Sequence, residues 1–218
     1  MARTLFGRPL RVVRSFVIDG LVVDGGPAIM KNKLFKYFSD NAPQQVLFTH
    51  CHEDHGGNIA VFNQLGLIPF VHEKAIPILA DASKIPYYRK LVCGNPPSGK
   101  SCSAPKILET DKYSFEVLPS PGHSEDHICL FERKQGWLFT GDLYVGEKII
   151  YLYESEDIRE IISSLKYLAT LDISNIFCSH RGKVEKGAAA LKNKLAYLEN
   201  MQGEARYLKE KGLDVRSI

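Results

Sequence analysis

No stretch of about 18 consecutive apolar residues occurs in this chain, so no helix able to cross a bilayer is expected. No Cys-x-x-Cys pair occurs either. The five cysteines, Cys51, Cys93, Cys102, Cys129 and Cys178, are odd in number and widely spaced. That is how reduced cytosolic thiols are distributed, not a disulfide framework. Each is expected to serve as a small apolar residue, Cys93 and Cys102 included. Neither sign of charge dominates: 28 Lys and Arg stand against 25 Asp and Glu, which excludes a wholly basic surface wrapped around nucleic acid. No fixed repeat period is present, which excludes a solenoid. The amino-terminal stretch lacks the uninterrupted apolar core of a signal peptide, because Arg8, Arg11 and Arg14 break it. A cytoplasmic protein without membrane association is therefore expected. What is present is a hydrophobic content of 44% over 218 residues, enough for one sizeable core. Residues 1–218 are expected to form a single domain.

The patterning is that of a mixed α/β chain. Residues 10–18 and 21–23 flank Asp19-Gly20 and read as a β-hairpin. Residues 28–38 carry Met30, Leu34, Phe35 and Phe38 at helical spacing. A strand at 46–49, a helix at 57–65 and a strand at 67–71 form a βαβ unit. Strands are expected at 115–118, 127–131, 137–140 and 176–178, with a helix at 158–171. Residues 183–218 read as a helical tail, with Leu191, Leu195 and Leu198 as its docking face. Two groups of strands with helices outside them suggest an αββα sandwich. Residues 93–106 are the one long Pro/Gly/Ser-rich loop, of the kind used as lids.

Of seven histidines, three fall in Thr49-His50-Cys51-His52-Glu53-Asp54-His55-Gly56-Gly57. In an extended chain residues i and i+2 point the same way, so His50 and His52 can share one metal. Gly56-Gly57 lets the backbone turn, aiming Asp54 and His55 at a second. The other candidate ligands, His123, Asp142 and His180, each follow an expected strand, where α/β proteins place chemistry. A set of five histidines and two aspartates without cysteine is wrong for a closed structural zinc site. It suits two metals with room for water.

At these residues the chain resembles the metallo-β-lactamase superfamily. The His-x-His-x-Asp-His motif is complete, Gly-His, Gly-Asp and Ser-His follow in order, and Asp24 matches an Asp that ends the family's second strand. The resemblance implies an α/β, αββα four-layer fold carrying two zinc ions, with iron or manganese as alternatives. It assigns His50, His52 and His123 to the first metal, Asp54, His55 and His180 to the second, and Asp142 as the bridge. Asp24 would steady the ligand loop without touching metal, and His127, close to His123, is a candidate for a similar role. Tyr144 is a candidate for a substrate-facing hydroxyl.

The chemistry implied is attack by a metal-bridging hydroxide on an ester, thioester or lactone carbonyl, with Asp54 as the catalytic residue that orients it. The alternatives are a phosphodiesterase or endoribonuclease and an iron-dependent persulfide oxygenase. Lactamases that use Cys on the second metal are disfavoured by His55, and flavodiiron proteins by His52. Glyoxalase II enzymes share the metal set but add a helical domain after it, whereas 38 residues follow His180 here. A small hydrolase branch of thioesterases and endoribonucleases is the nearer match. The expected partner is a small molecule. Residues 81–106 carry five basic side chains (Lys84, Arg89, Lys90, Lys100, Lys106) against Asp81, so an anionic substrate, with RNA as the alternative, is in view.

Overall fold

The computed structural model describes residues 4–5, 8–9, 12–81, 87–149 and 152–212, with side chains for 12–81, 89–149 and 152–212. Leu10, Arg11, Lys84 and residues 213–218, on which several expectations rest, lie outside these.

Strands β1 (Thr4–Leu5) and β2 (Arg8–Pro9) pair with each other. A first sheet then runs in the order β3 (Phe16–Ile18), β4 (Leu21–Val23), β5 (Gln45–Leu47), β6 (Phe70–Val71), β7 (Cys102–Ser103). The β3–β4 hairpin turns at Asp19-Gly20, both at positive φ, as an Asp-Gly turn requires. From β4 onward the pairs are parallel, and their connections carry α1 (Lys31–Asp40), α2 (Ile59–Gln64), α3 (Ala75–Ala80) and α4 (Tyr87–Cys93). The second sheet contains β8 (Ile107–Glu109), β9 (Ser114–Pro119), β10 (Ile128–Glu132), β11 (Trp137–Gly141), β12 (Asn175–Cys178) and β13 (Gly182–Glu185), in the reverse of that order across the sheet. Helix α5 (Ile158–Leu168) crosses from β11 to its parallel neighbour β12, and α6 (Gly187–Glu210) follows β13.

Period-two alternation sorts the side chains into three cores. Leu21, Val23, Leu47, Phe115, Ile128, Leu130 and Phe139 fill the space between the sheets. Their neighbours Val22, Val46 and Phe48 face outward onto α1 and α2. Cys129, Phe131, Leu138, Ile176 and Cys178 face outward onto α5 and α6. The result is the four-layer αββα sandwich. A one-residue slip in any of these strands would exchange inner and outer sets.

The structure differs from the expectation at several places: the strands expected at 10–18, 46–49 and 67–71 are Phe16–Ile18, Gln45–Leu47 and Phe70–Val71, and the helix at 158–171 ends at Leu168. The carboxy-terminal segment begins with strand β13, so α6 starts only at Gly187. Its Leu191 and Leu198 are fully buried against the second sheet. The expected helix at 57–65 shortens to Ile59–Gln64. The Pro/Gly-rich loop is tied down towards its end. The Lys100 amide donates to Asn63 Oδ1 at 2.7 Å, Gly99 N donates to Leu79 O at 3.0 Å, and its end becomes β7. Among the described residues, no helix is long and apolar enough to cross a membrane, and all five cysteines are free thiols.

Candidate metal centre

Strand β5 ends at Leu47, before the histidines, so alternation alone does not aim them. Two buried carboxylates shape the loop instead. Asp24 Oδ1 accepts the Thr49 amide at 2.8 Å, and Asp126 Oδ2 accepts the Cys51 amide at 2.7 Å. Asp24 itself sits at φ 64, a left-handed conformation that Asp tolerates better than most residues. The turn closes with the His55 and Gly56 amides on His52 O, at 2.9 and 2.8 Å. Gly57 has a close-approach role: a Cβ there would lie 2.1 Å from Glu53 O.

The seven expected ligands converge as two adjoining clusters. His50, His52 and His123 form the first, and Asp54, His55, Asp142 and His180 the second. In the histidine cluster, His52 Nδ1 stands 3.0 Å from both His50 Nε2 and His123 Nε2. In the mixed cluster, Asp142 Oδ1 lies 3.3 Å from His55 Nε2 and 3.0 Å from His180 Nε2. Asp142 Oδ2 reaches back to 3.6 Å from His123 Nε2. Asp54 completes that cluster, with Oδ1 3.9 Å from His55 Nε2 and Oδ2 3.7 Å from His180 Nε2.

The hydrogen bonds behind the rings set their tautomers. His55 Nδ1 donates to Asp24 Oδ2 at 2.7 Å and His180 Nδ1 to Val12 O at 2.7 Å. His123 Nδ1 donates to Glu156 Oε1 at 2.5 Å and His50 Nδ1 to Thr49 Oγ1 at 3.1 Å. Each turns its Nε2 towards the centre, as metal-ligating imidazoles are held. His52 Nδ1, 3.0 Å from both His50 Nε2 and His123 Nε2, completes a trio of ring nitrogens that one cation could accept from. His55 Nε2 is buried and makes no aligned hydrogen bond, which a cation would also resolve. The donor set therefore fits two metal ions.

Protonation follows the same division. Burial, then the neighbouring imidazoles, lowers the pKa of His50 and His52 well below the usual histidine value. Burial acts on His55 too, but Asp24, Asp142 and Asp54 overcome it and raise its pKa well above that value. Burial would raise Asp142, yet His55 and His180 hold it well below the carboxylate range.

The remaining expected residues fall as follows. His127 is fully buried, its pKa pushed down to about 3 by burial. Its Nε2 accepts the Asp142 amide at 3.2 Å and its Nδ1 donates to Ser120 Oγ at 2.8 Å, so it anchors the Asp142 backbone. Tyr144 is buried in the outer core beneath α6, and packing accounts for it. His72 Nδ1 accepts the Lys74 amide ahead of α3.

Glu156 and Asp126 were not singled out by sequence. Glu156 lies 33 residues from His123, in an acidic run with nothing to mark it. What brings it there is Gly122, at φ 131, where a Cβ would lie 2.4 Å from Ile161 N. This lets the first turn of α5, capped by Asp157, close on the His123 loop. The pair Gly122-His123 was a visible signal of that contact.

Residues 8–180 match the sequence profile of the metallo-β-lactamase superfamily. The chain belongs to that superfamily. Among curated relatives, the hydroxyacylglutathione hydrolase of Nitrosomonas eutropha is 31% identical over 63% of this chain and 48% of its own length. Thioesterase pkgB of Emericella nidulans is 24% identical over 66% of this chain and 37% of its own. The chain thus spans about half or less of the length of these superfamily relatives. Among solved structures, TTHA1623 in a di-iron-bound form superposes with a TM-score of 0.66 at 24% identity, covering 81% of this chain and 91% of that one. That likeness establishes the superfamily fold.

Proposed function

We propose that the chain is a metal-dependent hydrolase acting on a thioester, ester or lactone carbonyl. The observation that carries this is the position of Asp142, whose two oxygens face His55 and His180 on one side and His123 on the other. The two clusters thereby become one centre. His50, His52 and His123 would hold one divalent ion, Asp54, His55 and His180 the other, and Asp142 both. When bound, such ions supply Lewis acidity for a carbonyl oxygen and a water acidified towards neutrality. Zinc suits this imidazole and carboxylate set, with iron and manganese as alternatives.

The protein's own contribution is orientation and proton handling. Asp54, 2% exposed, orients the attacking oxygen and takes its proton. Asp24, Glu156 and Val12 O fix the rings of His55, His123 and His180. Burial, with Asp126 beside it, pushes the Cys51 pKa up, which argues against its thiol as the nucleophile. The convergence of all seven ligands favours a two-metal hydrolase over a single-iron oxygenase. The names of two curated relatives, a hydroxyacylglutathione hydrolase and a thioesterase, support a thioester. The five free thiols suit the reducing cytosol as its location.

The test is to load the metal-free chain with zinc and offer an acyl-glutathione thioester, a lactone, a generic phosphodiester and a short RNA. Turnover of the thioester or lactone, lost with a chelator and restored by metal, is expected. Cleavage of the phosphodiester or RNA alone would overturn the reading.

A further inference from the structure

A cavity of about 110 Å³ opens beside the centre, with His123, Asp142 and Glu156 on its inner wall and Lys194 of α6 beside them. Lys194 is 5% exposed. Its Nζ donates to Gly146 O at 3.1 Å and lies 5.7 Å from the Tyr144 ring centroid. Among the described residues no carboxylate comes within 4.0 Å of it. An ammonium offers three donors, and only one finds an oxygen here. Elsewhere on the surface the described lysines that pair, such as Lys74 and Lys166, do so with carboxylates in open solvent. Glu156 and Asp142 favour the ammonium from across the cavity without contacting it, and packing on Tyr144 alone does not require a charge. Burial lowers the Lys194 pKa, as expected of an ammonium held away from water.

We propose that Lys194 receives a carboxylate carried on the substrate's acyl arm, a short distance from the carbonyl that is cleaved. This rests on the hydrolase reading and names its substrate class: thioesters of dicarboxylic acids or equivalents. A carboxylate carries one negative charge where a phosphate carries up to two, and with Asp142 and Glu156 already on the cavity wall the smaller charge is the one a single ammonium can receive. Exposed Lys148 and Tyr153 stand at the rim, which leaves the arm an entry from solvent.

The test uses the metal-loaded chain, wild type, Lys194→Met and Lys194→Arg, with the succinyl and succinamoyl thioesters of N-acetylcysteamine. These differ only in a terminal carboxylate against a neutral amide. Wild type should prefer the succinyl thioester by about tenfold or more in kcat/KM, expressed mainly in KM. Lys194→Met should remove that preference and Lys194→Arg should keep part of it, with metal content unchanged in both. A wild type without preference, or a Lys194→Met with the wild-type ratio, overturns the proposal. If the wild type cleaves neither thioester, the preference for a thioester fails, the panel above judges the hydrolase reading, and calorimetry decides the site by itself. Succinate should then bind the metal-loaded wild type more tightly than succinamate does, and Lys194→Met should weaken succinate alone. Equal weakening of both ligands, or of neither, would overturn it.

Discussion

The two clusters of the candidate centre are equally buried and respond to burial in opposite ways. Around His50 and His52 the neighbours are other imidazoles, so burial wins and the rings stay neutral. Around His55 the neighbours are Asp24, Asp142 and Asp54, so the carboxylates win and the metal-free ring holds its proton. The lesson is that charge environment, not depth, decides protonation here. It also divides the labour. An ion held by His50, His52 and His123 would meet one carboxylate, Asp142, and would supply Lewis acidity. One held by His55 and His180 would meet two, Asp54 and Asp142, which suit the handling of a proton.

The largest expected effect comes from cutting one cluster at a time. His52→Ala and Asp54→Asn should each lower kcat by about 10³-fold or more, the loss of several kcal/mol of stabilisation. Metal analysis should find His52→Ala retaining the ion of the mixed cluster and Asp54→Asn that of the histidine cluster. Equal loss of both ions from either variant would erase the distinction.

A step down are the groups behind the rings. Asp24→Asn should weaken the mixed cluster and Glu156→Gln the histidine cluster, each by about 10- to 100-fold in metal affinity or activity. Competitive titration with a chromophoric chelator reads this directly. An effect of Glu156→Gln confined to the mixed cluster would show that the assignment of the rings is crossed.

On a different readout, the comparison shows in stability against pH in the metal-free chain. His50, His52 and His127 have folded pKa values below their unfolded ones, so the unfolded chain binds the extra protons. Their contribution is present above the ordinary histidine pKa and is lost as pH falls below it, at up to about 1.4 kcal/mol per pH unit for each group. His55, with its pKa raised, works the other way: its contribution is present in acid and lost as pH rises. Three groups outweigh one, so the thermal midpoint should fall between pH 7 and pH 5. A midpoint that rises over that range would contradict the assignments.

Much of this was legible in the residues themselves. The seven candidate ligands could be named because each lies in a short local pattern close to a strand end, and Asp24 because the family resemblance those patterns carry implies it. The four layers followed from period-two alternation and two groups of strands. What escaped notice is set by contacts distant along the chain. Glu156 reaches His123 through the close approach of α5 at Gly122, and Asp126 holds the Cys51 amide across 75 residues. The Pro/Gly-rich loop looked like a lid because its composition reports freedom, whereas Asn63 and the edge of the first sheet take that freedom away. Strand β13 was hidden in a polar stretch, Gly-Lys-Val-Glu, that pairs only because β12 offers it an open edge.

Calorimetric titration of the metal-free chain with zinc tests the central claim most directly. Two equivalents are predicted, with His52→Ala and Asp54→Asn each removing one, and a different one. A single equivalent in the wild type, or binding that survives both substitutions, would contradict the account.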